Sequence, residues 1–341
     1  MGRMLSTAAK AAITLLLLAL LFRKIDYSAT LRHLRDITPL TAIAGVLILS
    51  AAVAIATARW SIVLRSMGRS CTGWNLFRFN LIGQFFNQAL PSTIGGDGVR
   101  LWLLYQHGCT FAEAFNSVLI DRMAGFIVLA LMSLYGLPTL TERMFAIPPA
   151  ETITAVVVVS TALLLAFYGL ARARTAIARF RAGRFVAQIV TDLMFLAGHP
   201  RDAANIAALS IGTQAAAFLL IWLILRDLGA DVSIVGVMIV APVVMLLLVL
   251  PVSIAGWGLR EGLFVVGFGL LNVREDLALA ASIVFGLINL AEGLIGGIFW
   301  LLQPARVREP ITVEPAGDPG LIAESRLVVN PNLAEPPREP A

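Results

Sequence analysis

The sequence predicts an all-α polytopic membrane protein, with about six full transmembrane helices and two broken re-entrant segments related as an inverted repeat. Three observations predict it. The 341 residues are 58% hydrophobic and 14% charged, where a soluble domain has roughly 45–50% apolar and about 25% charged residues. The apolar residues run in blocks of bilayer-spanning length, such as Leu40 to Ala58 and Ala203 to Leu225, instead of in short periodic stripes. A Pro- and Gly-rich motif also occurs twice, at Leu90 to Arg100 and at Leu250 to Arg260.

Taken in order, apolar blocks and charged breaks place full spans near 6 to 22, 40 to 58, 121 to 140, 152 to 171, 203 to 225 and 277 to 302. The first follows Arg3 and Lys10 and precedes Arg23 and Lys24 without a small-x-small cleavage site. It therefore reads as an uncleaved span ahead of a signal peptide. The stretches 74 to 108 and 232 to 272 are apolar but interrupted near their middles by Gly, Pro and charge, and read as pairs of half-helices. The segment Phe185 to Ala197 is either an interfacial helix or one end of a helical hairpin. From Pro304 onward come eight of the 16 prolines among mixed charges, which sets a transmembrane domain, 1–302, apart from a disordered Pro-rich cytoplasmic tail, 303–341.

The formal charge of +5 gathers in short loops between spans, which is the signature of membrane topology, and no nucleic-acid partner is expected. With each broken segment returning to its own side, Arg59, Arg65, Arg69, Arg172, Arg174, Arg179, Arg181 and Arg184 fall in interior loops. That bias puts both termini in the cytoplasm of a cell-membrane protein; only the basic loop at 23 to 36 pulls the other way.

The paired motif carries most of the functional signal. Leu90 to Arg100 reads L-P-S-T-I-G-G-D-G-V-R and Leu250 to Arg260 reads L-P-V-S-I-A-G-W-G-L-R. Six of the eleven positions are identical, and the two copies are separated by almost half the chain. In the topology above the first copy is approached from inside and the second from outside, the arrangement of inverted repeats. Pro91 and Pro251 remove a backbone donor, and Gly95, Gly96, Gly98, Gly256 and Gly258 admit backbone geometries denied to other residues, so these seven are the expected hinges. Half-helices starting after Gly98 and Gly258 would aim their amide ends, beside Arg100 and Arg260, at a polar cavity. Such ends suit an anion such as a phosphate headgroup.

Charges inside apolar sequence cost about 2.5–3.5 kcal/mol each at a helix centre, so Asp97, Arg100, Asp121, Arg122, Arg260, Glu261 and Glu292 are expected to face the protein interior. Together with Asn87 they form the candidate substrate-binding set. Arg78 and Arg122 equally fit positions at the interface. Asp97 and Arg100, three apart, are expected to pair on one helical turn, whereas Glu261, next to Arg260 in sequence, is expected to seek another partner. Gly293 and Gly297 form a G-x-x-x-G face for helix packing. Cys71 and Cys109 are outside any C-x-x-C, and His33, His107 and His199 lack metal-binding spacing, so no metal or cofactor is expected. Nucleotide-binding and serine-hydrolase motifs are missing from the sequence.

R-W at Arg59 and Trp60, F-F-N-Q-A-L-P-S-T-I-G-G-D-G-V-R at 85 to 100, D-R-M-A-G at 121 to 125 and G-W-G-L-R-E-G at 256 to 262 together resemble the lysylphosphatidylglycerol synthase transmembrane-region family of flippase-like membrane proteins. The resemblance covers about residues 5 to 302. Bifunctional members of that family carry a soluble aminoacyl-transferase domain after the membrane region, and the short stretch after Leu302 is too small for one, so synthase activity is not expected. What the resemblance implies is translocation of a lipid or lipid-linked anionic molecule, with membrane lipids and lipid-biosynthesis enzymes as partners. The competing expectations are a noncatalytic partner in lipid, hopanoid or glycolipid synthesis and an intramembrane lipid-modifying enzyme with Asp97 or Asp121 as base.

Overall fold

The computed structural model describes residues 36–89, 95–155, 198–249 and 257–302, together with residues 33, 158, 169, 172, 173, 190, 191 and 194. The span predicted at 6 to 22, nearly all of that at 152 to 171, most of the segment 185 to 197, and the tail lie outside the described residues. So do the hinge positions Pro91, Pro251 and Gly256.

Eight helices are described in full: α1 Pro39–Ser66, α2 Gly73–Ala89, α3 Gly95–Gln106, α4 Phe111–Phe145, α5 Pro200–Asp227, α6 Ile234–Leu247, α7 Leu259–Gly269 and α8 Glu275–Leu301. Among the described residues, α1, α4, α5 and α8 are long and apolar enough to cross a membrane. These are four of the six full spans that the sequence predicts. Each of the two broken stretches is a pair of short helices, as the Pro/Gly interruptions predict.

Local chemistry sets the helix ends. α1 opens on Thr38, whose side chain accepts from the Thr41 amide, with Pro39 in its first turn. α4 opens on a reciprocal cap in which Thr110 Oγ1 accepts from the Glu113 amide and Glu113 accepts from the Thr110 amide. This cap starts α4 well ahead of the sequence-predicted boundary at 121, and α1 continues to Ser66 where the sequence predicts a stop at 58. Sequence alone sets both boundaries where charge begins. The structure runs both helices on through charges that it pairs, Arg59 with Asp121 and Glu113 with Arg69, so Arg59, expected in an interior loop, lies within α1 and is buried.

The eight helices form two units of the same order, long, short, short, long, and the repeat reaches down to single hydrogen bonds. After α1, Gly68 has φ of 70° and Arg69 N–H donates to Leu64 O; at the equivalent place after α5, Gly229 has φ of 81° and Ala230 N–H donates to Leu225 O. After α3, Gly108 has φ of 106° and Cys109 N–H donates to Leu104 O; at the equivalent place after α7, Asn272 has φ of 62° and Val273 N–H donates to Phe268 O. Each chain reversal thus uses a left-handed residue to satisfy the last carbonyls of a helix.

The two units are inverted. Thr38 at the start of α1 bonds Asp227 at the end of α5, and Ile55 of α1 lies beside Gly212 of α5, so α1 and α5 run antiparallel across the axis that relates the units. Packing obeys the same two-fold relation. α2 of the first unit lies on α8 of the second, and α6 of the second lies on α4 of the first. Each of these seams has a glycine pressed on backbone: Gly296 of α8 on the Leu81 carbonyl of α2, and Gly136 of α4 on the Ile239 carbonyl of α6. The G-x-x-x-G pair Gly293 and Gly297 lies in the first seam, against Gln88 and Phe85. Small residues allow such backbone approach where hydrocarbon offers no hydrophobic drive to associate.

Candidate functional site

In the first unit the sequence-predicted charges converge on one buried chain of ion pairs. Asp121, on the third turn of α4, accepts from Arg59 Nε of α1 at 2.8 Å and from Arg100 Nη2 of α3 at 2.9 Å. Arg100 also reaches Asp97 at 3.4 Å, the pairing that the three-residue spacing predicts. Asp97 in turn accepts from Arg122 Nε at 2.7 Å. Arg59 Nη1 donates to Ser210 of α5 at 3.1 Å, which ties the first unit to the second. Asp121 is 1% exposed, Arg100 5% and Arg59 7%, so the centre of the chain is buried; Arg122, with 35% of its side chain exposed, is its open end.

Two devices let guanidinium groups fit here. Gly125, one turn beyond Asp121, leaves room for the Arg59 guanidinium, and Gly83 of α2 leaves room for the stem of Arg100. The face of Trp60 lies 4.1 Å from Arg100 Cζ, while its indole N–H donates to Ser117 at 3.4 Å. Aromatic stacking on a desolvated guanidinium contributes about 2 kcal/mol. Three guanidiniums face two carboxylates, and Arg100 Nε is buried without a hydrogen-bond partner among the described residues. The centre is therefore cationic by one charge.

The second unit holds a reduced copy. Arg260, on the first turn of α7, donates to Ser282 of α8 at 3.1 Å and stacks over Trp257 at 4.6 Å. Ser282 stands where Asp121 stands in the first unit, and Gly286, which leaves room for the Arg260 guanidinium, stands where Gly125 does. The carboxylate has moved to Glu261, whose Oε1 accepts from Arg260 Nη2 at 2.8 Å and whose Oε2 accepts from the Gly258 N–H at 2.5 Å. The expectation that Glu261 seeks another partner is corrected here. Adjacent residues diverge within a helix, but at the first turn the carboxylate folds back over the open amide end and meets the arginine there. This copy is charge-balanced.

The helix ends also differ from the sequence reading. α3 begins at Gly95, so Gly98 lies within its first turn, not before it. Gly96 N–H already donates to Asn87 Oδ1 at 2.9 Å, which latches the two arms of the first hairpin. Gly258, with φ of 83°, does precede α7. The carboxylates of Asp97 and Glu261 both lie in the first turns of their helices, so each positive helix end faces a carboxylate of the protein itself.

At 1.5 Å per residue, Asp121 and Ser210 lie about 15 Å from the starts of α4 and α5, Arg59 about 10 Å from the end of α1, and Ser282 about 10 Å from the start of α8. Glu292 is 2% exposed and lies about 14 Å before the end of α8. It belongs to neither ion-pair group: its Oε1 is buried with no hydrogen-bond partner among the described residues. Arg78, half-buried on α2, has no ion pair among the described residues. Sequence reasoning puts Arg59 on the wrong side of a helix boundary and passes over Ser210 and Ser282. The tryptophans following Arg59 and Gly256 are the available signal, because an aromatic next to a buried guanidinium is a stacking partner. No group of three or more potential metal ligands occurs among the described residues.

The profile of the lysylphosphatidylglycerol synthase transmembrane-region family matches residues 7–297. Two UPF0104 membrane proteins of Methanothermobacter thermautotrophicus are each 24% identical, one over 79% of this chain and 84% of its own length, the other over 70% and 77%. A protein of Haloferax volcanii named glycosyltransferase AglD is 25% identical over 88% of this chain, which covers 55% of that protein. The chain belongs to the lysylphosphatidylglycerol synthase transmembrane-region family and is an integral, multi-pass α-helical membrane protein.

Proposed function

We propose, with membership of this family as the premise, that the protein translocates a lipid or lipid-linked anionic molecule across the cytoplasmic membrane, with both termini on the cytoplasmic side. The single observation carrying this reading is the buried ion-pair chain of Arg59, Asp121, Arg100, Asp97 and Arg122. A chain of paired charges below a membrane face is expensive to build, and purely structural packing of apolar helices has no need of it. Its surplus positive charge and the unpartnered Arg100 Nε favour an anion, which enters from the exposed end at Arg122. The second unit carries a related arginine, Arg260, at the equivalent position of the repeat. An anionic headgroup passing between faces would thus meet a similar guanidinium from either side, as inverted-repeat transporters require.

Proteoliposomes containing a headgroup-labelled fluorescent anionic phospholipid test the reading. Wild type is expected to expose inner-leaflet label to an impermeant quencher faster than empty vesicles. The Arg100→Ala, Arg260→Ala variant, verified as folded, is expected to lose that exchange. A folded variant that exchanges lipid at the wild-type rate refutes the reading.

A second reading, a membrane partner in lipid or glycolipid synthesis, draws on the Haloferax protein named as a glycosyltransferase, of which nearly half lies outside the matched region. It expects pathway output to survive loss of the ion-pair chain and to fail when lipid- or solvent-facing surfaces change.

A further inference from the structure

Glu292 has no role in either ion-pair group, yet it is the most deeply committed acid of α8. It is 2% exposed, and its Oε1 finds no donor among the described residues. Among the described residues, the charged groups on the helices packed against α8 are engaged or distant. On α1, Arg59 is held by Asp121 and Ser210, and Arg65 lies in the last turn. On α5, Arg201 and Asp202 begin the helix and Arg226 and Asp227 end it. On α7, Arg260 and Glu261 hold each other. On α2, Arg78 lies six residues before Gln84, about 9 Å along the helix, and on α8 itself Glu275 and Asp276 stand at the far end, about 24 Å away. An ionised carboxylate without a counter-ion in such surroundings carries a desolvation cost of several kcal/mol, whereas a glutamine would fill the same space without it.

The position of Glu292 supplies a reason to keep an acid. A Cβ added at the next residue, Gly293, would stand 3.3 Å from Gln88 Cγ and 3.6 Å from Gln84 O, and Gly296, one turn on from Glu292, is pressed on the Leu81 carbonyl, so this turn of α8 rests on α2. The last turns of α2 end the first arm of the re-entrant hairpin and carry Asn87, the latch onto α3. A shift of the last turns of α2 against α8 would change what covers Glu292. We propose that Glu292 is a membrane-embedded proton-binding site: it carries a proton while α2 covers it and releases it when hairpin movement admits water. Proton exchange at this carboxyl then couples a proton gradient to the hairpin. The coupling step rests on the translocase reading; the proton-binding step does not.

Two measurements test it. Infrared spectra of the purified protein at neutral pH, in light and heavy water, are expected to show a protonated-carboxyl C=O band that shifts in heavy water and is lost in Glu292→Gln. Glu292→Asp is expected to keep a displaced band. Identical spectra for wild type and Glu292→Gln overturn the proposal. In proteoliposomes, reversing an imposed proton gradient is expected to change the wild-type rate of anionic phospholipid exchange several-fold and to leave Glu292→Gln unchanged. Wild-type exchange indifferent to the gradient overturns the coupling. If no lipid moves in any vesicle, the translocase reading fails by itself and the infrared band still decides whether Glu292 binds the proton.

Discussion

Replacing Gly296 by alanine tests the seam between the two units. A Cβ at Gly296 would stand well inside 3.0 Å of the Leu81 carbonyl oxygen and carbon, a separation that real Cβ atoms essentially never show. Ordinary contact begins at 3.4 Å, so α2 and α8 must part by about 1.5 Å, and a peptide carbonyl inside a helix cannot rotate aside as a side chain would. Overpacking costs about 1–3 kcal/mol, and a clash with backbone belongs in the upper half of that range. At about 1.4 kcal/mol per tenfold, the folded fraction under denaturing conditions falls roughly 30- to 150-fold. The two-fold relation adds a stricter requirement: Gly136→Ala, which meets the Ile239 carbonyl in the equivalent seam, must cost nearly as much. Gly262→Ala, with open space at its Cβ, must cost almost nothing. Unfolding in mixed micelles of mild detergent and dodecyl sulfate gives the three values. A Gly296→Ala protein as stable as Gly262→Ala, or Gly136→Ala and Gly296→Ala differing by more than about 2 kcal/mol, would refute the paired-seam argument.

Asp121→Asn leaves the Arg59 and Arg100 guanidiniums facing each other without their shared carboxylate, and a cost of about 3–5 kcal/mol is expected. Arg59→Met, which leaves Asp121 paired with Arg100, is expected to cost distinctly less; thermal denaturation in detergent compares the two. Burial, with a smaller contribution from the nearby Glu113 carboxylate, pushes the Cys109 thiol up to about 11 against an opposing pull from Arg69. A raised thiol value means that the reactive thiolate is scarce below it and accumulates only as the pH climbs towards it. Maleimide labelling of Cys109 is therefore expected to stay slow through neutral pH while half-buried Cys71 labels faster, as mass spectrometry of the labelled peptides would register.

The sequence carried the class of this protein and the existence of its repeat. Blocks of about 20 apolar residues admit few solutions other than bilayer helices. A Pro at Pro91 and again at Pro251, each followed by glycines and an arginine, marks a helix break wherever it is folded. The burial of Arg100, Asp121, Arg260, Glu261 and Glu292 was legible too, because an ionisable side chain inside an apolar block is costly wherever it faces lipid. Pairing was decided only by tertiary structure. The reach of Arg59 to Asp121 joins residues on different helices, and no local spacing encodes it. Its burial even reversed the local rule, since a charge ends an apolar block in sequence but not in space once a counter-ion arrives from α4. The same holds for the exchange of partners between units, with α2 on α8 and α6 on α4. Which glycines press on which carbonyls depends on the axis that relates two inverted halves, and an axis is a property of packed helices, absent from the chain that forms them.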